Sequence, residues 1–202
     1  MVTNPNSPFG FVLNGNIDGS PPNFGNRQGL IASANTNKIF KGDVLKPLAV
    51  GYLDVAAEVG GGESVGGVAE WFEWNSISQQ KHVRQNWWTG AGDATGDVLI
   101  AYDGNLTDVF LCQCLLGPVT QANVGSNANF NIGAGGRTVG TGNQSSFTLD
   151  DGTLGAGAAL PFKVYRLPVP TTGPGGSLYV LPGQDPTNPY NQVYVTFNNL
   201  VA

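Results

Sequence analysis

Asp97-Val98-Leu99-Ile100-Ala101-Tyr102, then Asp103-Gly104 and, after a short polar interval, Asp108-Val109-Phe110-Leu111-Cys112-Gln113-Cys114-Leu115 form the stretch on which the fold turns. Two runs rich in β-branched, aromatic and aliphatic residues with Asp-Gly between them predict a hairpin, because Asp-Gly suits the tight turns that join antiparallel strands. The second run is apolar at nearly every position, which predicts a strand covered on both faces. Working outward, Gln192-Val193-Tyr194-Val195-Thr196-Phe197 is the clearest alternation in the chain, with Val193, Val195 and Phe197 on one face. Leu160–Leu167, Ser145–Leu149 ending at Asp150-Asp151-Gly152, Asp43-Val44-Leu45 and Glu70–Trp74 are further strand candidates, and Leu178-Tyr179-Val180 is a short extended piece. No stretch shows a helical period of three turns. Residues 75–92 read as a long polar excursion pinned by Trp87 and Trp88, with room for one short helix.

Many short strands separated by turn residues predict an all-β fold: a single antiparallel β-barrel or jelly-roll-like domain with long Gly/Pro-rich loops. Its expected span is 30–202. Residues 1–29, with Asn4-Pro5-Asn6-Ser7-Pro8-Phe9-Gly10-Phe11 and Asp18-Gly19-Ser20-Pro21-Pro22, are expected to form an extended N-terminal arm, since this density of Pro and Gly opposes both regular structures. Phe9, Phe11 and Phe24 would be costly to leave in water, so the arm is expected to dock in grooves of its own or a neighbouring subunit.

The chain has 30 glycines and 13 prolines among 202 residues, so burial and close packing must offset a large backbone entropy cost. The glycines lack the three-residue period of collagen. Only 11% of residues are charged while 41% are hydrophobic, which separates the chain from disordered sequences. The expected surface is polar but weakly charged, covered in part by neighbouring subunits. A net charge of -5 with no basic patch argues against nucleic acid. No apolar run is long enough to predict a membrane helix, and the start has no secretory pattern. Asn105-Leu106-Thr107 and Asn143-Gln144-Ser145 are therefore expected to be chance matches to a glycosylation sequon.

The residues offer little chemistry. His82 is the only histidine and sits between Lys81 and Arg84. Cys112 and Cys114, about 6.5 Å apart along one strand, share a face but cannot readily form a disulfide. They read as small buried hydrophobes in a chain folded under reducing conditions. Asp97, Asp103, Asp108, Asp150 and Asp151 border strand ends and read as turn formers. Asp103–Asp108 lacks the Gly and Glu of an EF-hand loop, and the glycine runs at 60–62 and 133–136 lack a phosphate-binding context. No cofactor, metal site or catalytic group is expected.

Several landmarks carry a family resemblance: Asn4–Phe11 with Asp18-Gly19-Ser20, Phe40-Lys41-Gly42-Asp43-Val44, Val98–Asp103 with Asp108–Gln113, and Asn191–Asn199. With these the chain resembles the decoration, or cement, proteins that reinforce the heads of tailed bacteriophages. The resemblance implies a barrel or jelly-roll module without catalytic residues, made in the host cytoplasm and placed on the outer surface of the virion. It also implies a homo-oligomer, a trimer in preference to a dimer, bridging adjacent major capsid protein subunits, with neither nucleic acid nor membrane as partner. Uncharged aromatic side chains suit such contacts, so Phe9, Phe11, Phe24, Trp71, Trp74, Trp87 and Trp88 are the expected interface anchors, with core filling the alternative for the tryptophans. The rival expectations are a carbohydrate- or receptor-binding β-module of a virion fibre, and a small β-barrel hydrolase that would need His82 in a cleft beside an acid or nucleophile.

Overall fold

The computed structural model describes residues 4–22, 26–57, 64–90, 92–132, 144–168, 171–172, 178–179 and 183–201. Among them the strands are β1 (Val12–Asn16), β2 (Arg27–Ile31), β3 (Ile39–Phe40), β4 (Val44–Pro47), β5 (Leu53–Val55), β6 (Gly67–Ser76), β7 (Lys81–Gln85) and β8 (Trp87–Trp88), followed by β9 (Val98–Asp103), β10 (Asp108–Gln113), β11 (Asn127–Ile132), β12 (Phe147–Gly155), β13 (Phe162–Arg166), β14 (Thr171–Thr172), β15 (Leu178–Tyr179) and β16 (Gln192–Phe197). One turn of 3-10 helix, Gln121–Asn123, interrupts the series. Phe24, the glycine runs at 60–62 and 133–136, Asn143 and Val180 lie outside the described residues.

Two six-stranded antiparallel sheets result. The first has the order β1-β10-β16-β13-β11-β12, and the second β2-β9-β6-β4-β5 with β7 beside the outer half of β6. The pairs β3–β8 and β14–β15 form two-stranded ribbons. This corrects the expected barrel or jelly-roll: among the described residues no pairing joins β1 to β12 or β2 to β5, so neither sheet closes on itself. Nor are the strands dealt alternately to two sheets, as a jelly roll requires. The second sheet is drawn from residues 27–103, and the first from residue 108 onward apart from β1.

The second sheet does curl. Gly29 on β2 lies so near β5 that an added Cβ would stand 2.7 Å from a Leu53 methyl. Side chains bridge this gap in place of a ladder: the Asn35 and Asn37 amides donate to Asp54 at 2.9 Å and 3.0 Å, and the Tyr52 hydroxyl donates to Asp97 at 2.9 Å.

The expected hairpin at 97–115 is also corrected. Strand β9 pairs with β2 and β6 in the second sheet, whereas β10 pairs with β1 and β16 in the first. Gly104 is absent from the positive-φ positions, so the left-handed backbone of an Asp-Gly hairpin turn is not used. Instead Asn105–Asp108 forms a turn, its Asn105 N–H donating to Asp108 Oδ2 at 2.9 Å, and the chain crosses between sheets.

Alternation then fills two cores. Phe110, Cys112 and Cys114 join Val193, Val195, Phe197, Phe162, Val164, Phe130, Phe147 and Leu149 on the inner face of the first sheet. Phe162 is the hub of that cluster, stacked on Phe11 at 4.4 Å and on Phe197 at 5.4 Å. The second core holds Leu45, Ala69, Phe72, Trp74, Trp88, Val98 and Ile100. Successive residues of β4 and β6 point to opposite faces, so Val44 and Val68 enter the first core while Leu45 and Ala69 enter the second. A bulge between Ala69 and Trp71 then shifts the register and keeps Phe72 and Trp74 inward.

Other expectations need amendment. The N-terminal segment is not free of strands: it supplies β1 and, through Arg27, the start of β2. The excursion near 75–92 is a β6–β7 hairpin followed by β8, turning through Gln80 at φ 51°. Strand β12 runs on through Asp150-Asp151-Gly152 to Gly155 instead of ending there, with its register to β11 shifted.

Candidate interface surface

The N-terminal segment provides the edge strand of both large sheets, and two buried amides hold it in place. Asn4 fills all its capacity: its amide donates to the carbonyls of Asp185 and Asn188 at 2.9 Å and 3.2 Å, and its oxygen accepts from Gly183 and Asp185. Gln113, 2% exposed, donates to the carbonyls of Pro5 and Tyr190 and accepts from the Ser7 N–H at 3.0 Å. Asn191 likewise pairs with both backbone groups of Val119. These side chains stand in for strand partners along irregular backbone, which explains how so weakly charged a chain satisfies its loops. Gly10 and Gly42 let the segment pass under the Phe40–Asp43 turn: Phe11 N–H donates to Gly42 O at 3.0 Å, and a Cβ on Gly10 would lie 2.7 Å from that oxygen.

The expected anchors divide. Phe11, Trp74 and Trp88 are buried within this chain, Trp74 meeting Trp88 edge-to-face at 5.3 Å. Phe9, Trp71 and Trp87 are half-buried and keep surface to offer. Trp71 alternates with Phe72 and so faces outward from β6; the Arg84 guanidinium covers its ring at 4.0 Å. Glu73 lies on the same face, with Arg84 Nε and His82 Nε2 each 3.6 Å from its carboxylate. The hairpin tip carries exposed Ile77. The sequence showed Trp71 as one tryptophan among four; on β6 the bulge after Ala69 turns Trp71 outward and Trp74 inward, while Trp87 and Trp88 are set by β8 and its pairing with β3.

Asp93 fixes the base of this hairpin. Its carboxylate accepts from Ser76 Oγ at 2.8 Å, from the Ser78 N–H at 2.9 Å and from Trp74 Nε1 at 3.3 Å, and these donors, the Ser78 bonds first, lower its pKa to about 2.

His82 is exposed on β7, its Nδ1 3.3 Å from Asn75 Oδ1, in an open depression that includes Ser76. The Ser76 hydroxyl is bonded to Asp93, so no serine–histidine pair forms. Of the five aspartates expected at strand ends, Asp97 and Asp108 accept backbone N–H groups of turns, whereas Asp150 and Asp151 lie within β12: Asp150 accepts from the Gly152 N–H of its own strand, and Asp151 from the Leu116 and Gly117 N–H groups. Asp103 differs. It is buried, with Oδ1 bonded to the Asn26 amide at 2.8 Å and no donor at Oδ2; burial, then the charges of Glu70 and Asp108 and a hydrogen bond shared with the Glu70 carboxylate, push its pKa up to about 7. Both cysteines are free and buried, and burial raises both thiols. Among the described residues no group of three His, Cys, Asp or Glu is placed to hold a metal ion. No helix there is long and apolar enough to cross a membrane.

Compared with known proteins, the chain matches no family model, no curated protein and no solved structure.

Proposed function

We propose that the chain is a structural decoration protein that binds the major capsid protein on the outer surface of a tailed-phage head and stabilises the shell. The observation that carries this reading is the outward pair Trp71–Arg84 on the rigid β6–β7 hairpin, a ring and a guanidinium 4.0 Å apart that the core does not use. Tryptophan and arginine are the side chains that most often dominate binding energy at protein contacts, and a hairpin already fixed by Asp93 loses little entropy when it docks. A subunit that binds the assembled lattice and not its separate parts shifts the assembly equilibrium toward the shell.

Co-sedimentation with purified phage heads tests the proposal. Trp71→Ala and Arg84→Ala should each weaken head binding by about tenfold or more, the scale of a hot-spot residue, while shifting thermal stability only slightly. Trp88→Ala should instead destabilise the fold by about 3–5 kcal/mol, because it empties a buried site. Wild-type chain that stays in the supernatant, or a Trp71→Ala variant that binds as well as wild type, refutes the assignment.

A further inference from the structure

We propose that the outer face of the first sheet carries a binding cleft for a singly charged sugar acid, a carboxylate on a hydroxylated ring. The cleft has a volume of about 250 Å³. That is just below the usual range of about 300–1,000 Å³ for ligand pockets and fits one ring better than a chain of them. Val109 of β10, nearly fully buried, lines it between two polar walls. Asn14, Asn16 and Ser20 form one wall, and Tyr165 and Arg166 of β13 the other.

Both walls depart from regular pairing. The β1 register shifts between Leu13 and Gly15, and the β13 register between Val164 and Arg166, so Asn14 and Tyr165 are the extra residues of two bulges. Bulges re-aim side chains and recur beside binding sites. The first wall is also rigid. The Asn16 amide donates to Ser20 Oγ and Pro21 O, each at 3.0 Å, the Ser20 N–H donates to Asp18 Oδ1 at 2.9 Å, and the Tyr165 hydroxyl donates to Ile17 O at 2.8 Å. A site so braced has little ordering left to do when a ligand enters.

The unused polar capacity defines the ligand. The Arg166 guanidinium lies 4.3 Å from the Tyr194 ring centroid and has no carboxylate partner among the described residues. Stacking occupies its face and leaves its in-plane N–H groups for the two oxygens of a carboxylate. The Tyr165 hydroxyl oxygen and the Asn16 Oδ1 remain able to accept, and the exposed Asn14 amide to donate and accept, which suits ring hydroxyls. One guanidinium with Asp18 in the opposite turn favours one negative charge over the nearly two of a phosphate monoester. The cleft is on the first sheet and the Trp71–Arg84 pair on the second, so this inference stands apart from head binding.

The test is an NMR titration of the ¹⁵N-labelled full chain with sodium D-glucuronate, and in parallel with D-glucose and with inorganic phosphate. Glucuronate should move the amide signals of 14–20 and 165–166 with saturation in the millimolar range, and glucose and phosphate should bind about tenfold more weakly or worse. Arg166→Gln should weaken glucuronate binding about tenfold, and Asn14→Ala, at an exposed edge position, should weaken it in an otherwise unchanged spectrum. Lys163→Gln should bind as wild type does. No saturable shift, shifts confined to other residues, equal binding of glucose or phosphate, or full binding by both cleft variants would overturn the proposal.

Discussion

Two aspartates show how the same side chain is driven in opposite directions by its surroundings. Asp93 collects hydroxyl, indole and backbone donors and is held near pKa 2, below its ordinary 3.8. Its bonds therefore contribute fully above the unfolded value and are lost as pH falls toward 2. Asp103 is buried beside Glu70 and Asp108, and its pKa stands near 7. Between about pH 4 and 7 the folded chain keeps a proton there that the unfolded chain has released, so this group lowers stability as pH rises through that window. Urea unfolding should accordingly show stability gained from Asp93 at the acid end and eroded by Asp103 toward neutrality. Asp103→Asn keeps the oxygen that accepts from Asn26 and presents an uncharged amide toward Glu70. It should be about 1–2 kcal/mol more stable than wild type at about pH 8 and nearly equal to it at about pH 4. A variant equally destabilised at both pH values would show that Asp103 is ionised in the folded chain.

Among the elements, those with strict alternation were legible in the sequence. Val193, Val195 and Phe197 of β16 all reach the first core, and β9, β10, β13 and the Glu70–Trp74 part of β6 are strands where the sequence put them, although β6 begins earlier, at Gly67, and runs on to Ser76. The N-terminal strands were not legible, because Val12–Asn16 and Arg27–Ile31 are mostly polar or glycine, and their pairing is imposed by β10 and β9. The 97–115 hairpin failed for a related reason. Asp-Gly permits a tight turn, but which sheet receives β10 depends on distant partners, β1 and β16. Of the candidate surface, sequence composition could name the tryptophans but not sort them, since the facing of Trp71 and Trp74 depends on the bulge after Ala69 and that of Trp87 and Trp88 on the pairing of β8 with β3. The same dependence on distant partners gives the N-terminal segment its weak point. Gln113→Ala would leave the Ser7 N–H and the Pro5 and Tyr190 carbonyls without their buried partner. The expected loss is about 2–3 kcal/mol, with hydrogen exchange accelerated over residues 4–11 before the rest of the chain. Unchanged protection over residues 4–11 would show that Phe11, stacked on Phe162, holds the segment without help.

At the scale of the whole molecule, two cores do not make two independent units. Strands β4 and β6 are walls of both, with Val44 and Val68 on one side and Leu45 and Ala69 on the other. The N-terminal segment gives an edge strand to each sheet, and the β9–β10 connection crosses from one to the other. Losing either core strips one face from the shared strands, which then expose apolar surface at about 25 cal/mol per Å². The chain should therefore unfold in one cooperative transition in which damage to either core is felt by both. Phe110→Ala in the first core and Ile100→Ala in the second each empty a fully buried site, and each should cost about 2–5 kcal/mol. In calorimetry both should shift a single peak downward, by about 2–4 °C per kcal/mol for a chain of this size. A double variant should lower the same peak further, since the two side chains belong to separate clusters and their effects should nearly add. Separation into two peaks, with Phe110→Ala moving only one and Ile100→Ala only the other, would show that the shared wall does not couple the sheets. The expectation of one domain over residues 30–202 would then give way to two units joined by the N-terminal segment and the β9–β10 crossing.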